Sequence, residues 1–368
     1  MKKVVLTGGH LTPALALIEE LETAGGIKLL FFGRKYATEG VKTISTEYKV
    51  IQKQKIKFYT ITAGRLQRKF TKYTLSSLLK LPIGFLQSFL YLLLVRPLLI
   101  VSFGGYLSVP VVISGWLLGI DSVTHEQATI PGLANKINSL FVKKIFISWK
   151  QTAVFFDSRK TEVIGNLTRK SMYKLKPESK IFTNYLKRSK NLILVLGGSQ
   201  GSHVLNTLTF DLIKHLPNFY FLHQVGVTNW NGDLDKAKKI KSQRYLATDY
   251  IGSEDFARVL KKTQIVISRA GANTIWDLAT FKKPSILIPL PISASGEQMA
   301  NAKVLEKEGF AKIITQGELT SKKVQEAVYE IQKNSKTLLE KASRFQKTLP
   351  RDATIKMAKY LVNLLDNG

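Results

Sequence analysis

The chain has 368 residues, 45% of them hydrophobic and 22% charged, which allows more than one packed core and does not fit a disordered chain. There is no cysteine, so disulfides, thiolate metal sites and a cysteine nucleophile are excluded, and a reducing compartment suits it. The formal net charge of +29 favours nucleic acid, anionic lipid or phosphorylated substrates as partners.

The chain opens with "KVVLTGGHLTPALALI", an apolar strand, a turn of small residues and the start of a helix. Its apolar run stops at Thr7-Gly8-Gly9-His10, too early for the core of a signal peptide. From Tyr48 to Ile120 there is no acidic residue, while Lys49, Lys53, Lys55, Lys57, Arg65, Arg68, Lys69, Lys72, Lys80 and Arg96 fall inside. The same window holds "LSSLLKLPIGFLQSFLYLLLV", apolar nearly all round at helical spacing. A basic collar beside such an apolar surface suits a membrane face. A buried core helix with solvated lysines nearby is the other reading, and composition leaves both open. The charge-free stretch from Pro97 to Ile120 is long enough to span a bilayer. Gly104-Gly105 and Pro110 break it, so it reads as a buried strand followed by a turn.

Apolar runs continue to alternate with helical patterns. In the first half the expected strands are 4–6, 29–32, 98–103, 122–124, 145–148 and 162–164. In the second half they are 192–196, 220–224, 245–250, 265–268, 285–289 and 312–314. This alternation predicts an α/β chain of two doubly wound, Rossmann-like domains with parallel sheets, facing each other across a cleft. The polar, basic stretch 165–180 reads as the connector, giving domains 1–165 and 166–349.

Residues 191 to 206, "NLILVLGGSQGSHVLN", repeat the strand, glycine turn, helix pattern of the N-terminus. Glycines let the backbone approach an anion, and the following helix start offers unpaired N–H groups and a positive dipole end. Ser199 adds a hydroxyl. Neither turn fits G-x-G-x-x-G and no P-loop is present, which argues against a dinucleotide oxidoreductase, a nucleotide-sugar epimerase that needs that fingerprint, and a P-loop enzyme. A third turn, Arg269 to Thr274, opens a helix whose start suits a diphosphate. Asp277, one helical turn on, suits a ribose hydroxyl. Gln298 and Asn301 follow at another helix entrance, where amide side chains suit sugar hydroxyls. Together these predict a nucleotide-sugar site in the second half.

In the first half, His10 follows one glycine turn, Tyr106 and Ser108 follow Gly104-Gly105, and His125-Glu126-Gln127 ends a strand. Histidines at strand ends of one sheet share its ligand edge, and a near-neutral histidine can take a proton from a sugar hydroxyl. His203, His215 and His223 read as structural. The one D-x-D, Asp233-Leu234-Asp235, reads as chance.

Taken in order, "TGGHLTPALAL", "FGGYLSVP", "HEQATIPGLANK", "GNLTR", "LGGSQGSHVLN", "SRAGANTIWDLA" and "EQMANA" resemble the MurG family of membrane-associated glycosyltransferases. The resemblance spans nearly the whole chain. It implies the GT-B fold, with UDP-N-acetylglucosamine as donor substrate on the second domain and a polyprenyl-diphosphate acceptor, lipid I, on the first. It implies inverting transfer to the C4 hydroxyl of the muramoyl sugar, giving lipid II for cell-wall synthesis. It also implies a helix at about 350–368 returning to the first domain, and an anionic membrane surface met by the region at about 49–96 at the cytoplasmic face of the cell membrane. No transmembrane helix, metal, cofactor or nucleic-acid partner is implied.

By residue, the resemblance puts Thr7, Gly8 and Gly9 in a donor- or diphosphate-contacting turn. His10 becomes the favoured base, with Glu126 as runner-up and His125 beside it. Gly104, Gly105, Tyr106 and Ser108 fall on the acceptor side. Arg169 and Ser199 fall on the UDP part and Ile251 on the base. Ala272, Asn273, Thr274, Ile275, Trp276 and Asp277 form the diphosphate and ribose segment, and Gln298 meets the N-acetylglucosamine. Four places depart from the family pattern. Val5 and Leu6 replace two glycines, Ala128 an asparagine and Leu167 a proline, while Asp277 replaces a glutamate. They leave room for a related transferase acting on another lipid such as diacylglycerol. A non-catalytic basic surface or nucleic-acid binder is the reading from a different class.

Overall fold

A computed structural model describes residues 1–38, 41–62, 74–169, 180–293 and 296–367. The chain divides into two compact units, Met1–Arg169 with Pro350–Gly368, and Lys170–Leu349.

The first unit is built on β1 (Lys2–Thr7), β2 (Ile27–Gly33), a small hairpin β3 (Tyr36–Thr38) and β4 (Val41–Ile44), then β5 (Lys57–Thr60), β6 (Leu99–Ser102), β7 (Asp121–Glu126), β8 (Lys144–Ile147) and β9 (Thr161–Val163). Seven of these form one parallel sheet in the order β5-β2-β1-β6-β7-β8-β9. Helices cover both faces. Central strands such as "VVLT" and "LIVS" are therefore buried along their length and read as unbroken apolar runs. The strands expected at 4–6, 29–32, 98–103, 122–124, 145–148 and 162–164 are present. The sequence reading placed no strand in 33–97, and β3, β4 and β5 correct it. β5 is an edge strand with exposed Lys57 and Thr60, so it lacks the apolar run that marks its neighbours.

One core lies between the sheet, the helix Leu11–Ala24 and the chain's last helix, Ala353–Asn367, which contributes Met357, Leu361 and Leu365. Polar ties support that packing. Lys2 Nζ donates to Leu365 O and Asp366 Oδ1, and Thr354 Oγ1 accepts from Thr168 N and donates to Thr168 O.

The second unit holds β10 (Leu192–Leu196), β11 (Tyr220–Gln224), β12 (Tyr245–Thr248), β13 (Ile265–Ser268), β14 (Ser285–Leu287) and β15 (Ala311–Ile313). Their parallel sheet runs β12-β11-β10-β13-β14-β15. All six match expected strands. In each sheet the order reverses beside the first strand, between β1 and β6 and between β10 and β13. Doubly wound sheets bind ligands outside the carboxyl ends at that reversal.

The stretch from Pro97 to Ile120 folds as β6, the glycine turn and the helix Ser108–Leu117. Among the described residues no helix is long and apolar enough to cross a membrane. Arg65, Arg68, Lys69 and Lys72 lie outside the described residues.

Candidate active site

At the reversal of the first sheet two glycine turns interlock. Gly9 N donates to Gly104 O at 2.9 Å, and Phe103 N donates to Thr7 O at 2.8 Å. A Cβ on Gly8, whose φ is +134°, would lie 2.6 Å from Gly104 O, and one on Gly105 would lie 2.8 Å from Gly9 N. Only glycine permits this approach. The turn delivers His10 as the first residue before the helix Leu11–Ala24, whose start has no side-chain cap. His10 is exposed, yet the protein around it draws its pKa from 6.5 down to about 4 by desolvation. Water reaches the ring, so the direction of the shift is what bears on chemistry: the imidazole is neutral at pH 7 and able to accept a proton.

His125 and Glu126, at the end of β7, are both buried. His125 Nε2 lies 3.1 Å from Gly165 O, so Nε2 carries the proton of the neutral ring. Desolvation, opposed by the bond to Gly165 O and helped by nearby His10, lowers its pKa to about 4. Gln127 lies close enough to raise that pKa slightly, yet among the described residues neither His125 Nδ1 nor Gln127 Oε1 has a hydrogen-bond partner of good geometry, and Thr7 Oγ1 is in the same position.

Glu126 Oε1 accepts from Ala128 N at 2.9 Å, and Oε2 accepts from Gly132 N and from Asn135 Nδ2 at 2.8 Å. A carboxylate so occupied shapes the 126–132 loop and is a poor proton acceptor. Ser108 is likewise buried, donating to Gly105 O and accepting from Asn138 Nδ2. His125, Glu126 and Ser108, expected to contact substrate, are buried here and hydrogen-bonded within the protein beside the turns. Tyr106 is partly exposed, and its hydroxyl accepts from Arg34 Nη1.

The second unit repeats the device with different parts. A Cβ on Gly201, at φ +85°, would lie 2.1 Å from Val225 O, and one on Gly226 would lie 2.2 Å from Gly201 N. Gly198, also at positive φ, has open space around it and stands beside exposed Ser199. The helices His203–His215 and Ala272–Thr280 both start without a side-chain cap, behind Ser202 and Gly271. Their leading N–H groups carry the partial positive charge of a helix end. Asn273 and Thr274 are partly exposed at the second start, with Ile275 and Trp276 turned into the core. Asp277 is partly exposed, its carboxyl has no side-chain partner among the described residues, and desolvation pushes it up to about 8.

Gln298 Oε1 accepts from Leu290 N at 3.0 Å and Ala270 N at 3.3 Å, so its carbonyl is spent on the backbone. Ile251 is buried, and its N–H donates to Gln224 Oε1. Arg169, expected on the UDP part, belongs to the first unit, where Nε and Nη2 reach Glu19 Oε1 at 2.6 and 2.5 Å. Its guanidinium is held there by this ion pair.

Several supporting residues escaped the sequence reading. Asn135 ties Glu126 to Thr124 and stands against Gly104. Gln224 bridges Ile251 N and Gly198 O. Arg269 joins Ser202 Oγ, Ile288 O and Gln316 Oε1. The D-x-D pair is structural: Asp233 is buried against His203 and Asn206, and Asp235 accepts from Asn229.

Two parallel α/β units with glycine turns and open helix starts at their reversal points define a doubly wound architecture suited to phosphorylated ligands. Residues 5–147 match the glycosyltransferase family 28 N-terminal domain and residues 192–356 the glycosyltransferase family 28 C-terminal domain. Over 329 residues the chain is 36% identical to a Treponema denticola protein named UDP-N-acetylglucosamine--N-acetylmuramyl-(pentapeptide) pyrophosphoryl-undecaprenol N-acetylglucosamine transferase, covering 85% of this chain and 84% of that one. Among solved structures, Acinetobacter baumannii MurG aligns over 99% of this chain and 100% of its own, with TM-score 0.73 and 24% identity. The chain is a glycosyltransferase with the GT-B fold. It belongs to the MurG family of glycosyltransferase family 28. A UDP-GlcNAc 2-epimerase from Neisseria meningitidis shares the fold at TM-score 0.63 and 12% identity, covering all of both chains. Fold and glycine turns alone therefore do not separate transfer from epimerisation. The family match does.

Proposed function

We propose that the chain moves N-acetylglucosamine from UDP to the C4 hydroxyl of the muramoyl sugar of lipid I, with inversion, giving lipid II. The second unit binds the donor. Backbone N–H groups at the Ser202–His203 and Ala272–Thr274 helix starts meet the diphosphate, with hydroxyls from Ser199 and Thr274, and Asp277 meets the ribose. The first unit binds the diphosphate-linked acceptor at its own glycine turns and supplies His10. Neutral His10 takes the hydroxyl proton as the oxygen attacks the anomeric carbon. The bond from that carbon to the diphosphate breaks, and the negative charge passes to departing UDP. A preorganised donor at such a charge is worth about 3 kcal/mol of barrier.

One observation carries this reading: open helix starts follow glycine turns at the reversal points of both sheets. It is tested by incubating the chain with UDP-N-acetylglucosamine and a lipid I analogue, following UDP release and the disaccharide product. Turnover with diacylglycerol and none with lipid I would overturn the acceptor assignment. Loss of turnover in His10→Asn with its fold intact is the result expected for the base.

The reading includes docking to an anionic membrane. The helix Thr74–Val95 is apolar on two faces. Gly84, Ser88, Leu92 and Val95 are buried, while Ile83, Leu86, Leu90, Leu93 and Leu94 face solvent, with Leu86 60% and Leu94 73% exposed. Exposed Trp116, Leu117 and Leu140 on the following helices, each packed on the one before, enlarge the patch. Lys49, Lys53, Lys55, Lys57 and Arg96 are exposed in the same unit. An apolar face with basic neighbours binds anionic bilayers. Flotation with vesicles containing phosphatidylglycerol should retain the chain, and Leu86→Ser with Leu94→Ser should release it without lowering its melting temperature. Retention of the double variant would remove this part of the reading.

A further inference from the structure

The second unit has a cavity of about 300 Å³ at the amino ends of its strands, lined in part by Gln264, Ile265, Lys283, Ile331, Ser335 and Leu339. It lies at the opposite end of the sheet from the glycine turns. Strands of four or five residues separate the two ends by roughly 13–17 Å. The cavity therefore belongs to no part of the transfer reading.

Its lining mixes apolar and polar side chains, and among the described residues no acidic one lines it. Lys283 is 92% buried by its 8% exposure, and its Nζ donates to Thr263 O at 2.8 Å and Lys261 O at 3.2 Å. These carbonyls belong to the end of the helix Ser253–Lys262. An ammonium has three donors, so one remains. Among the described residues Lys283 makes no ion pair, and Lys261, a second cation, also lines the cavity. Burial and the neighbouring Lys282 pull the Lys283 pKa down to about 8, the direction expected of a cation without a counter-charge. Capping a helix end accounts for two of its hydrogen bonds. It does not account for an adjoining chamber with two cations, an apolar wall and no anion.

We infer that this cavity binds a small organic anion, its charged head on Lys283 and a short apolar body against Ile265, Ile331 and Leu339. A carboxylate and a phosphate ester share that chemistry, so the test carries both heads.

The full chain is titrated with hexanoate, hexyl phosphate, hexanol and inorganic phosphate while its melting temperature is followed. One or both hexyl anions should raise it saturably, by about 2–4 °C at roughly 10 mM, and hexanol and inorganic phosphate should not. Whichever anion acts tells carboxylate from phosphate. An equal rise with hexanol would overturn the role of charge. An equal rise with inorganic phosphate would overturn the role of the apolar wall. No rise with either anion would overturn the site.

Lys283→Met should abolish the shift. Because that variant also loses a helix cap, Leu339→Trp serves as a second one: it keeps Lys283, fills the chamber, and should abolish the shift with UDP release unchanged. A shift persisting in Leu339→Trp would mark adventitious binding and end the proposal. The readout needs no sugar nucleotide, so it fails or stands separately from the transfer reading.

Discussion

The two glycine turns are built alike and supported differently. In the second unit the polar groups behind the turn close on one another. His223 is buried with both nitrogens engaged, Nδ1 with Tyr245 OH at 2.9 Å and Nε2 with Asn206 Oδ1 at 3.0 Å. Asn206 also donates to Asp233 and to Val225 O. Gln224 and Arg269 complete the frame, and among the described residues Ser268 Oγ is the buried side-chain polar atom of this unit left without a partner. In the first unit His125, near the end of β7 on the other side of the reversal, has one nitrogen engaged, while among the described residues His125 Nδ1, Gln127 Oε1 and Thr7 Oγ1 lack partners. Buried polar groups are normally paired. The second turn is a finished mould, whereas the first keeps polar capacity behind the residue assigned as base.

The largest effect should come from the interlock itself. Gly201→Ala sets a methyl group against a backbone carbonyl and keeps positive φ, costing about 3 kcal/mol. Gly198→Ala has the same φ problem with open space around it, and should cost about 1 kcal/mol. Denaturant melts read alongside hydrogen exchange of each unit's peptides would measure both. Equal losses would mean that the close approach of the Gly201 and Gly226 turns is unimportant.

The histidines give the next effect. His223→Phe orphans a tyrosine hydroxyl and an amide oxygen, for a loss of about 2 kcal/mol in the second unit. His125→Phe orphans one carbonyl, for about 1 kcal/mol in the first. Hydrogen exchange assigns each loss to its unit. A larger loss at His125 would reverse the comparison. Below these stands Gln224→Met, which frees Ile251 N and leaves Gly198 O with Gly201 N as its donor, for about 1 kcal/mol. Because it loosens both Ile251, expected beside the nucleobase, and the turn, the KM for the sugar nucleotide should rise several-fold with kcat little changed. A fall in kcat alone would mean that Gln224 does not position the donor.

The parts legible in the sequence are those whose signal is local. Strands covered by helices on both faces read as apolar runs, so β1, β6, β10 and β13 and their glycine turns were visible, and the pair of doubly wound units followed. β5 was hidden because an edge strand carries Lys57 and Thr60 outward. Asn135, Asn206 and Gln224 were hidden because an amide shows its role only through the distant backbone it bonds. The apolar patch was half legible. Its part in Thr74–Val95 stands in one run, while Trp116 and Leu140 join only when three helices pack side by side. The partner of Arg169 was hidden because a sequence motif cannot show that Glu19, one hundred and fifty residues earlier, meets the guanidinium.

The last effect is the dependence on acid, and it bears on the same two histidines. Burial lowers the pKa of His125 to about 4 and of His223 to about 3, from 6.5 in the unfolded chain. Below pH 6.5 the unfolded chain takes up protons that the folded chain refuses, so stability falls as pH drops toward 4. Above pH 6.5 both states hold neutral rings and this contribution is flat. His125→Phe should therefore flatten the acid slope measured by hydrogen exchange in the first unit and leave the second unit's slope unchanged, and His223→Phe should do the reverse. The second unit's slope should continue to a lower pH, because His223 resists protonation further. If one substitution flattened both slopes, the units would be losing structure together, and the separate supports described for the two turns would not be independent.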